Sequence, residues 1–134
     1  MRINEENYVD KAEKVIKELR DEVSASAAGR FRKKLVTTSK IRGFLSIASD
    51  IYNDAIICQS ETLPSDLLSR IQYLRVRIAY EVGRDTDNSV RDFVTKAELL
   101  DILKEIGSSR KNYILFYRYM EALVAFHRYY GGKD

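Results

Sequence analysis

The chain has 134 residues, 45% of them hydrophobic and 32% charged, with a net charge of +3, which predicts a single domain covering residues 1–134. Its single cysteine excludes an intramolecular disulfide and is typical of a reducing cytoplasm. The N-terminus lacks the apolar segment of a signal peptide, and the most apolar stretch, between residues 113 and 126, is too short to span a membrane.

The first half of the chain predicts two helices joined by a flexible loop. Apolar residues recur with the 3.6-residue period of a helix from about residue 5 to residue 23. The small residues of SASAAGR follow, so residues 1–33 are expected to form an N-terminal helix and a flexible basic loop. A second helix is predicted from TTSKIRGFLS, with Thr37 or Thr38 as its N-cap, to about residue 59.

Three more helical segments complete an expected all-α, compact bundle of about five helices. The third should begin near Pro64 and end before Gly83. The fourth has two parts, the short NSVRDFV and a restart at Thr95, where TKAE matches a capping box. The last runs from Ser108 or Ser109 to the glycines at 131 and 132. It is apolar or aromatic nearly all round, which predicts a buried aromatic C-terminal helix.

Charges along the chain alternate in blocks. Residues 50–69 carry four acids and no base, whereas residues 23–49 carry no acid and six basic residues: Arg30, Arg32, Lys33, Lys34, Lys40 and Arg42. Lys40 and Arg42 fall in the first turns of the second helix, where the helix dipole disfavours cations and a bound anion would offset the cost. Charge alone is consistent with a solvated basic face and with a phosphate-binding face.

The third predicted helix carries alternating basic and aromatic residues on one side. They are spaced by three, four and three positions: Arg70, Tyr73, Arg77 and Tyr80. Arg84 follows just past the predicted end of the helix, and Arg75 points toward the other flank. Arginines there could bind successive phosphates, and tyrosines could add hydroxyl contacts or stacking. Alternatively, the tyrosines widen the buried stripe and the arginines pair with acids such as Glu81.

The sequence contains no constellation of residues that indicates catalysis, a metal site or a cofactor site. His127 is the only histidine, and its place in an aromatic helix favours a structural role. Cys58 is expected to be a small buried residue without a catalytic partner. Asp50 and Asp54 share a helix face and could hold a divalent ion, although a solvated acidic face is the favoured interpretation. The glycines form no phosphate-binding loop or dinucleotide motif.

Three blocks of sequence resemble the small subunit of type III-A CRISPR effectors, the Csm complexes. The blocks are KLVTTSKIRGFLS, IQYLRVRIAYEVGRD with SVRDF after it, and YRYMEALVAFHRYYGG, covering residues 34–130. The resemblance implies a cytoplasmic, compact helical protein without catalytic activity. Several copies stack along the crRNA filament and contact crRNA and target RNA through the sugar-phosphate backbone. RNA cutting then belongs to the backbone subunit, and DNA cutting and cyclic oligoadenylate synthesis belong to the large polymerase/cyclase subunit.

The resemblance and the charge pattern together give a set of candidate RNA-binding residues. Lys40 and Arg42 match the TTSK-R block of the family, while Arg75, Arg77 and Arg84 match its basic helix and Gly-Arg turn. The charge pattern adds three further candidates: Lys33, Lys34 and Arg70. Two other hypotheses are a helical protein-interaction module without RNA affinity and a small RNA-processing enzyme that would need a metal-binding acidic cluster.

Overall fold

The computed structural model describes all residues from 1 to 134 and contains six helices and no strand. In chain order the helices are α1 (Tyr8–Ser26), α2 (Thr38–Ile57), α3 (Ser65–Arg84), α4 (Ser89–Ala97), α5 (Leu99–Ile106) and α6 (Arg110–Tyr129). The predicted all-α class is confirmed, and the count rises from five to six because the two parts of the fourth predicted segment are separate helices. None of the six combines the length and the apolar character that a bilayer-crossing segment needs.

Helix α6 packs against both α1 and α2 and supplies the largest share of the buried core. Its eight buried residues are Tyr113, Leu115, Phe116, Tyr117, Tyr119, Met120, Leu123 and His127. The Tyr113 hydroxyl donates to the carbonyl of Ala48 in α2 at 2.6 Å, and the Tyr119 hydroxyl donates to the carbonyl of Ala97 in α4 at 3.0 Å. Burial raises the pKa of both phenols, so they remain protonated donors.

Helix α3 continues two residues further than its sequence predicts. Gly83 does not end it, because the helix continues to Arg84 and Asp85 follows as its C-cap, with its N–H bonded to the Val82 carbonyl at 3.3 Å. Arg84 is therefore the last residue of the helix rather than a residue beyond it. Of the apolar stripe expected for α3, Leu67, Ile71, Leu74 and Ile78 are buried, and Val82 near its end is partly buried.

The predicted capping box at Thr95 is wrong. Thr95 lies inside α4, and the chain turns at Glu98, which adopts a left-handed conformation with φ of 58° between α4 and α5. The Glu98 carboxylate does not cap a helix, because it binds Arg2 at 2.7 Å and Lys11 at 2.9 Å. Distant cations thus determine the orientation of a side chain that looked locally like a cap, and they lower the pKa of its carboxyl group.

The single histidine joins the end of α6 to the start of α2. The imidazole of His127 is fully buried, and its Nε2 lies 2.6 Å from the Val36 carbonyl, which can only accept. Nε2 is therefore the donor, and Nδ1 accepts from the Thr38 hydroxyl at 3.1 Å. Gly132 packs directly against the same ring, because a Cβ at that position would collide with it. Next to it, the Lys133 carbonyl accepts from the Thr38 N–H at 2.8 Å. The predicted structural role of His127 is thereby confirmed.

Candidate nucleic-acid interface

Helix α2 begins at the TTSK motif with a hydrogen-bonded cap. Thr37 is the N-cap, and its hydroxyl oxygen accepts from the Lys40 N–H at 3.4 Å. Because the Thr38 N–H is bonded to Lys133, only Ser39 among the first three residues of α2 keeps an N–H without an acceptor. A bound anion would therefore meet side chains here rather than a row of free backbone donors.

Three of the eight candidate residues come together between α2 and α3. We call Lys40, Arg77 and Arg84 the cationic cluster. Lys40 and Arg77 line the same cavity of about 200 Å³, and Glu81 lies between the two arginines, 3.6 Å from Arg77 Nη2 and 3.8 Å from Arg84 Nη1. The side chains of the cluster are 47%, 42% and 62% exposed, so all three can reach a ligand in solution.

A buried carboxylate lies beneath the cationic cluster. The side chain of Asp85 is only 1% exposed, and its Oδ2 accepts from the N–H groups of Val90 at 2.9 Å and Arg91 at 3.3 Å, at the start of α4. Its Oδ1 has no hydrogen bond, and its ion-pair partner is Lys40, whose Nζ is 4.0 Å away. Lys40 therefore has two possible roles: it offsets a buried charge, and it presents a cation to solvent.

The loop between α3 and α4 carries a helix-capping signal in its sequence. DTDNS directly after a helix is typical of Asp side chains that cap the next helix. Asp87 accepts from the hydroxyl of Ser89 at 2.7 Å and from its N–H at 3.0 Å. These bonds, the hydroxyl first, lower the pKa of Asp87 to about 2, and the positive charge of Lys40 acts in the same direction.

Replacing Lys40 by alanine is expected to cost more stability than replacing Arg42. Lys40 faces the buried Asp85 carboxylate, whereas Arg42 is exposed, has no acid within ion-pair distance and sits near the positive end of α2. We expect Lys40→Ala to lower the free energy of unfolding by roughly 1 kcal/mol and Arg42→Ala to leave it unchanged. Thermal unfolding measures both, and in an Asp85→Asn background the cost of Lys40→Ala should disappear. Equal losses for the two variants would show that Asp85 does not depend on Lys40.

Two of the arginines on α3 lie away from the cationic cluster. Arg70 is bound to Asp54 of α2 at 2.6 Å, near the opposite end of the helix pair. Arg75 donates to Gln72 at 2.7 Å and, as expected from the helical period, occupies the other flank of α3 from Arg77. Neither can share a phosphate with the cluster.

The basic residues before α2 form a separate group. Lys33 lies 3.9 Å from Glu22 of α1, while Lys34 and Arg42 are exposed without an acid in reach. The loop from residue 27 to residue 37 carries no helix or strand. It extends the positive surface beyond the start of α2.

The tyrosines of α3 are exposed rather than buried. Tyr73 is 57% and Tyr80 58% exposed, and Val76 lies between them at 61%. The interpretation that these tyrosines widen the buried stripe is therefore wrong. Its other half is confirmed, because Arg77 and Arg84 lie within ion-pair distance of Glu81.

The residues considered for catalysis or metal binding are hydrogen-bonded or ion-paired to neighbouring groups of the fold. Asp54 forms an ion pair with Arg70. Cys58 is half-buried, and the Cys58 thiol donates to the Asp54 carbonyl at 3.3 Å. Both ring nitrogens of His127 are hydrogen-bonded within the core. No group of three or more His, Cys, Asp or Glu side chains lies close enough together to hold a metal ion.

Comparison with known proteins assigns the chain to a family. The family described as Csm2 Type III-A matches residues 12–133. The chain belongs to the Csm2 type III-A family. A relative from Streptococcus thermophilus named "CRISPR system Cms protein Csm2" is 40% identical over 132 residues, which is 98% of each chain.

Two other Csm2 proteins match a shorter part of the chain. The "CRISPR system Cms protein Csm2" of Mycobacterium tuberculosis strain H37Rv is 41% identical over 99 residues, 74% of this chain and 78% of that protein. The protein of the same name from Enterococcus italicus is 32% identical over 102 residues, 74% of this chain and 71% of that protein. The resemblance seen in the three sequence blocks is thereby confirmed, and the Csm2 family match extends it into α1.

Proposed function

We propose that this Csm2 chain is a non-catalytic small subunit of a type III-A CRISPR ribonucleoprotein and binds guide–target RNA through the sugar-phosphate backbone. Its partners are crRNA and target RNA, the backbone subunit, the large polymerase/cyclase subunit and neighbouring copies of itself along the filament. In this role it supports target-RNA binding in antiviral defence and needs no cofactor.

The observation that carries the proposal is the cationic cluster. Lys40 from α2 lines the same cavity as Arg77 from α3, and Arg84 joins them on one exposed surface, with the carboxylates of Glu81, Asp85 and Asp87 close by. Arginine binds phosphate oxygens in pairs, and the acid-free loop before α2 extends the same charge. Such contacts position a nucleic acid without reading its sequence. That fits a complex in which base pairing with the guide selects the target.

A protein-interaction module without RNA affinity is the second candidate. The exposed Tyr73, Val76 and Tyr80 of α3 favour it, because aromatic residues are enriched at protein interfaces. The convergence of Lys40 with Arg77 and Arg84 favours RNA, since a module of that kind has no need of clustered cations. RNA affinity of the folded protein distinguishes the two.

Measurement of RNA affinity against salt concentration tests the proposal. Arg84 is the most exposed member of the cationic cluster, so Arg84→Ala removes one of its cations without opening the core. For the full-length protein and single-stranded RNA we expect Arg84→Ala to weaken binding several-fold and to reduce the log–log salt slope by about 0.7. The matched control is Arg118→Ala, which removes an exposed arginine from α6 and should change neither quantity.

Two outcomes would contradict RNA binding through this surface. One is an affinity that does not depend on salt, because phosphate contacts release counterions. The other is an equal loss of affinity in Arg84→Ala and Arg118→Ala, since net charge alone would then explain the binding.

A further inference from the structure

A cavity of about 200 Å³ lies between α2, α3 and the start of α4. Its buried side is apolar and includes Phe44 and Val90, with the half-buried Ile47. Its charged lining residues, Lys40 and Arg77 with Glu81, keep contact with solvent. The cavity thus combines an apolar interior with two cations that belong to the cationic cluster.

Gly43 lines the same cavity, and neither the backbone nor packing requires a glycine there. It lies inside α2, where glycine weakens a helix, and only Gly107 and Gly131 among the glycines adopt a positive φ. A Cβ built on Gly43 would meet nothing within 4 Å, so no neighbouring element needs the space. The missing side chain leaves the cavity open toward solvent.

The chemistry of the cavity fits a nucleotide. An engineered apolar cavity of about 150 Å³ holds benzene, so this one admits a flat aromatic ring. The exposed cations beside it suit the phosphate attached to such a ring. Glu81 is within ion-pair distance of Arg77 and Arg84, which leaves apolar contact as the main interaction with the ring. Apolar contact accepts any base, since every base has a π-face.

We propose that this cavity receives one unstacked base of the bound RNA, with the adjacent phosphate held by Lys40 and Arg77. The proposal rests on the proposed function and adds a contact to a base where that function needs only the backbone. Bases within a duplex are paired and stacked, so the occupant is an unpaired or flipped nucleotide. The cavity would bind the base without distinguishing one kind of base from another.

Methyl NMR of the full-length protein tests whether a base enters. We expect single-stranded oligoadenylate to shift the methyl signals of Ile47 and Val90, and an abasic oligomer with the same phosphates to leave them in place. A free nucleotide offers the same chemistry, and adenosine monophosphate should shift these signals only at much higher concentration. Tighter binding of the monophosphate than of the oligomer would overturn the assignment to RNA.

Filling the cavity provides the second test. Gly43→Leu places a side chain in the opening without meeting protein atoms, and it should weaken oligoadenylate binding roughly fivefold or more, to the level of the abasic oligomer. The matched control is Gly83→Leu, which adds the same side chain to α3 where a Cβ also meets nothing and which does not line the cavity. Thermal unfolding of both variants verifies that each is folded.

Failure of this inference differs from failure of the proposed function. If Gly43→Leu binds oligoadenylate like wild type while Arg84→Ala weakens it, the protein binds RNA and the cavity does not hold a base. If wild type shows no salt-dependent affinity for either oligomer, the proposed function is wrong and the cavity assignment is lost with it.

Discussion

Truncation of Phe116 to alanine is expected to lower the free energy of unfolding by about 3–5 kcal/mol. Phe116 is fully buried in α6, the helix that packs against both α1 and α2, so the cavity left behind has little room to close. Because small domains are stable by only about 5–15 kcal/mol, this loss is a large fraction of the total stability. Urea unfolding at several temperatures measures the change.

The control for Phe116 is another phenylalanine. Phe31 lies in the loop before α2 and is 84% exposed, so Phe31→Ala should change stability by less than about 0.5 kcal/mol. The RNA affinity of Phe116→Ala should match wild type once it is expressed per folded molecule, because Phe116 is not exposed to a ligand. A Phe116→Ala protein with wild-type stability would show that α6 does not organise the core.

Replacement of His127 by alanine is expected to cost about 2–4 kcal/mol. The change removes the imidazole and leaves its two partners, the Val36 carbonyl and the Thr38 hydroxyl, without a hydrogen bond. It also opens a cavity between α6 and the start of α2. Gly132→Ala tests the same contact by a different change, because the added Cβ would collide with the imidazole of His127. Both variants should lower the midpoint of urea unfolding, and a wild-type midpoint in both would refute the role given to this contact.

Stability should also depend on pH through His127. Burial lowers the pKa of the imidazole from its ordinary value of 6.5, against the opposing effect of the bond to Val36. As pH falls below 6.5, the unfolded chain takes up a proton that the folded chain does not, so the free energy of unfolding decreases until the lowered pKa is reached. Above 6.5 this contribution is fully present.

The pH dependence of stability near neutrality can be assigned to one residue in this chain. His127 is the only histidine, so in His127→Ala the slope of stability between pH 7.5 and pH 5.5 should be much reduced. Urea unfolding of wild type and variant across this range provides the comparison. A wild-type stability that rises on acidification from pH 7 would show that the folded protein binds the proton more tightly, contrary to the buried geometry.

The sequence predicted most helices because their apolar residues follow one strong period. Thr37 is one of the two predicted N-caps, and Ser109 likewise caps α6, with a hydrogen bond from the Asn112 N–H at 3.1 Å. The errors arose where tertiary contacts overrule a local signal. Glu98 matched a capping box but is bound by Arg2, a residue far away in the chain. Gly83 matched a helix end, yet α3 continues until Asp85.

The candidate interface could be predicted in part for the same reason. Periodicity separated Arg75 from Arg77 correctly, because it depends only on α3 itself. The meeting of Lys40 with Arg77 depends on how α2 packs against α3, which no local pattern contains. Asp85 was missed because its burial follows from that packing, although DTDNS signalled a cap.

The position of α6 also determines when the protein can fold during synthesis. α6 is the last of the six helices to leave the ribosome, yet α1 and α2 both pack against it. The Thr38 hydroxyl likewise has its hydrogen-bond partner, His127, 89 residues later in the chain. Until then the faces of α1 and α2 that pack against α6 have no partner, so the nascent chain exposes them. Folding is therefore expected only after α6 emerges, and the start of α2, which carries Lys40, is completed in that same final step.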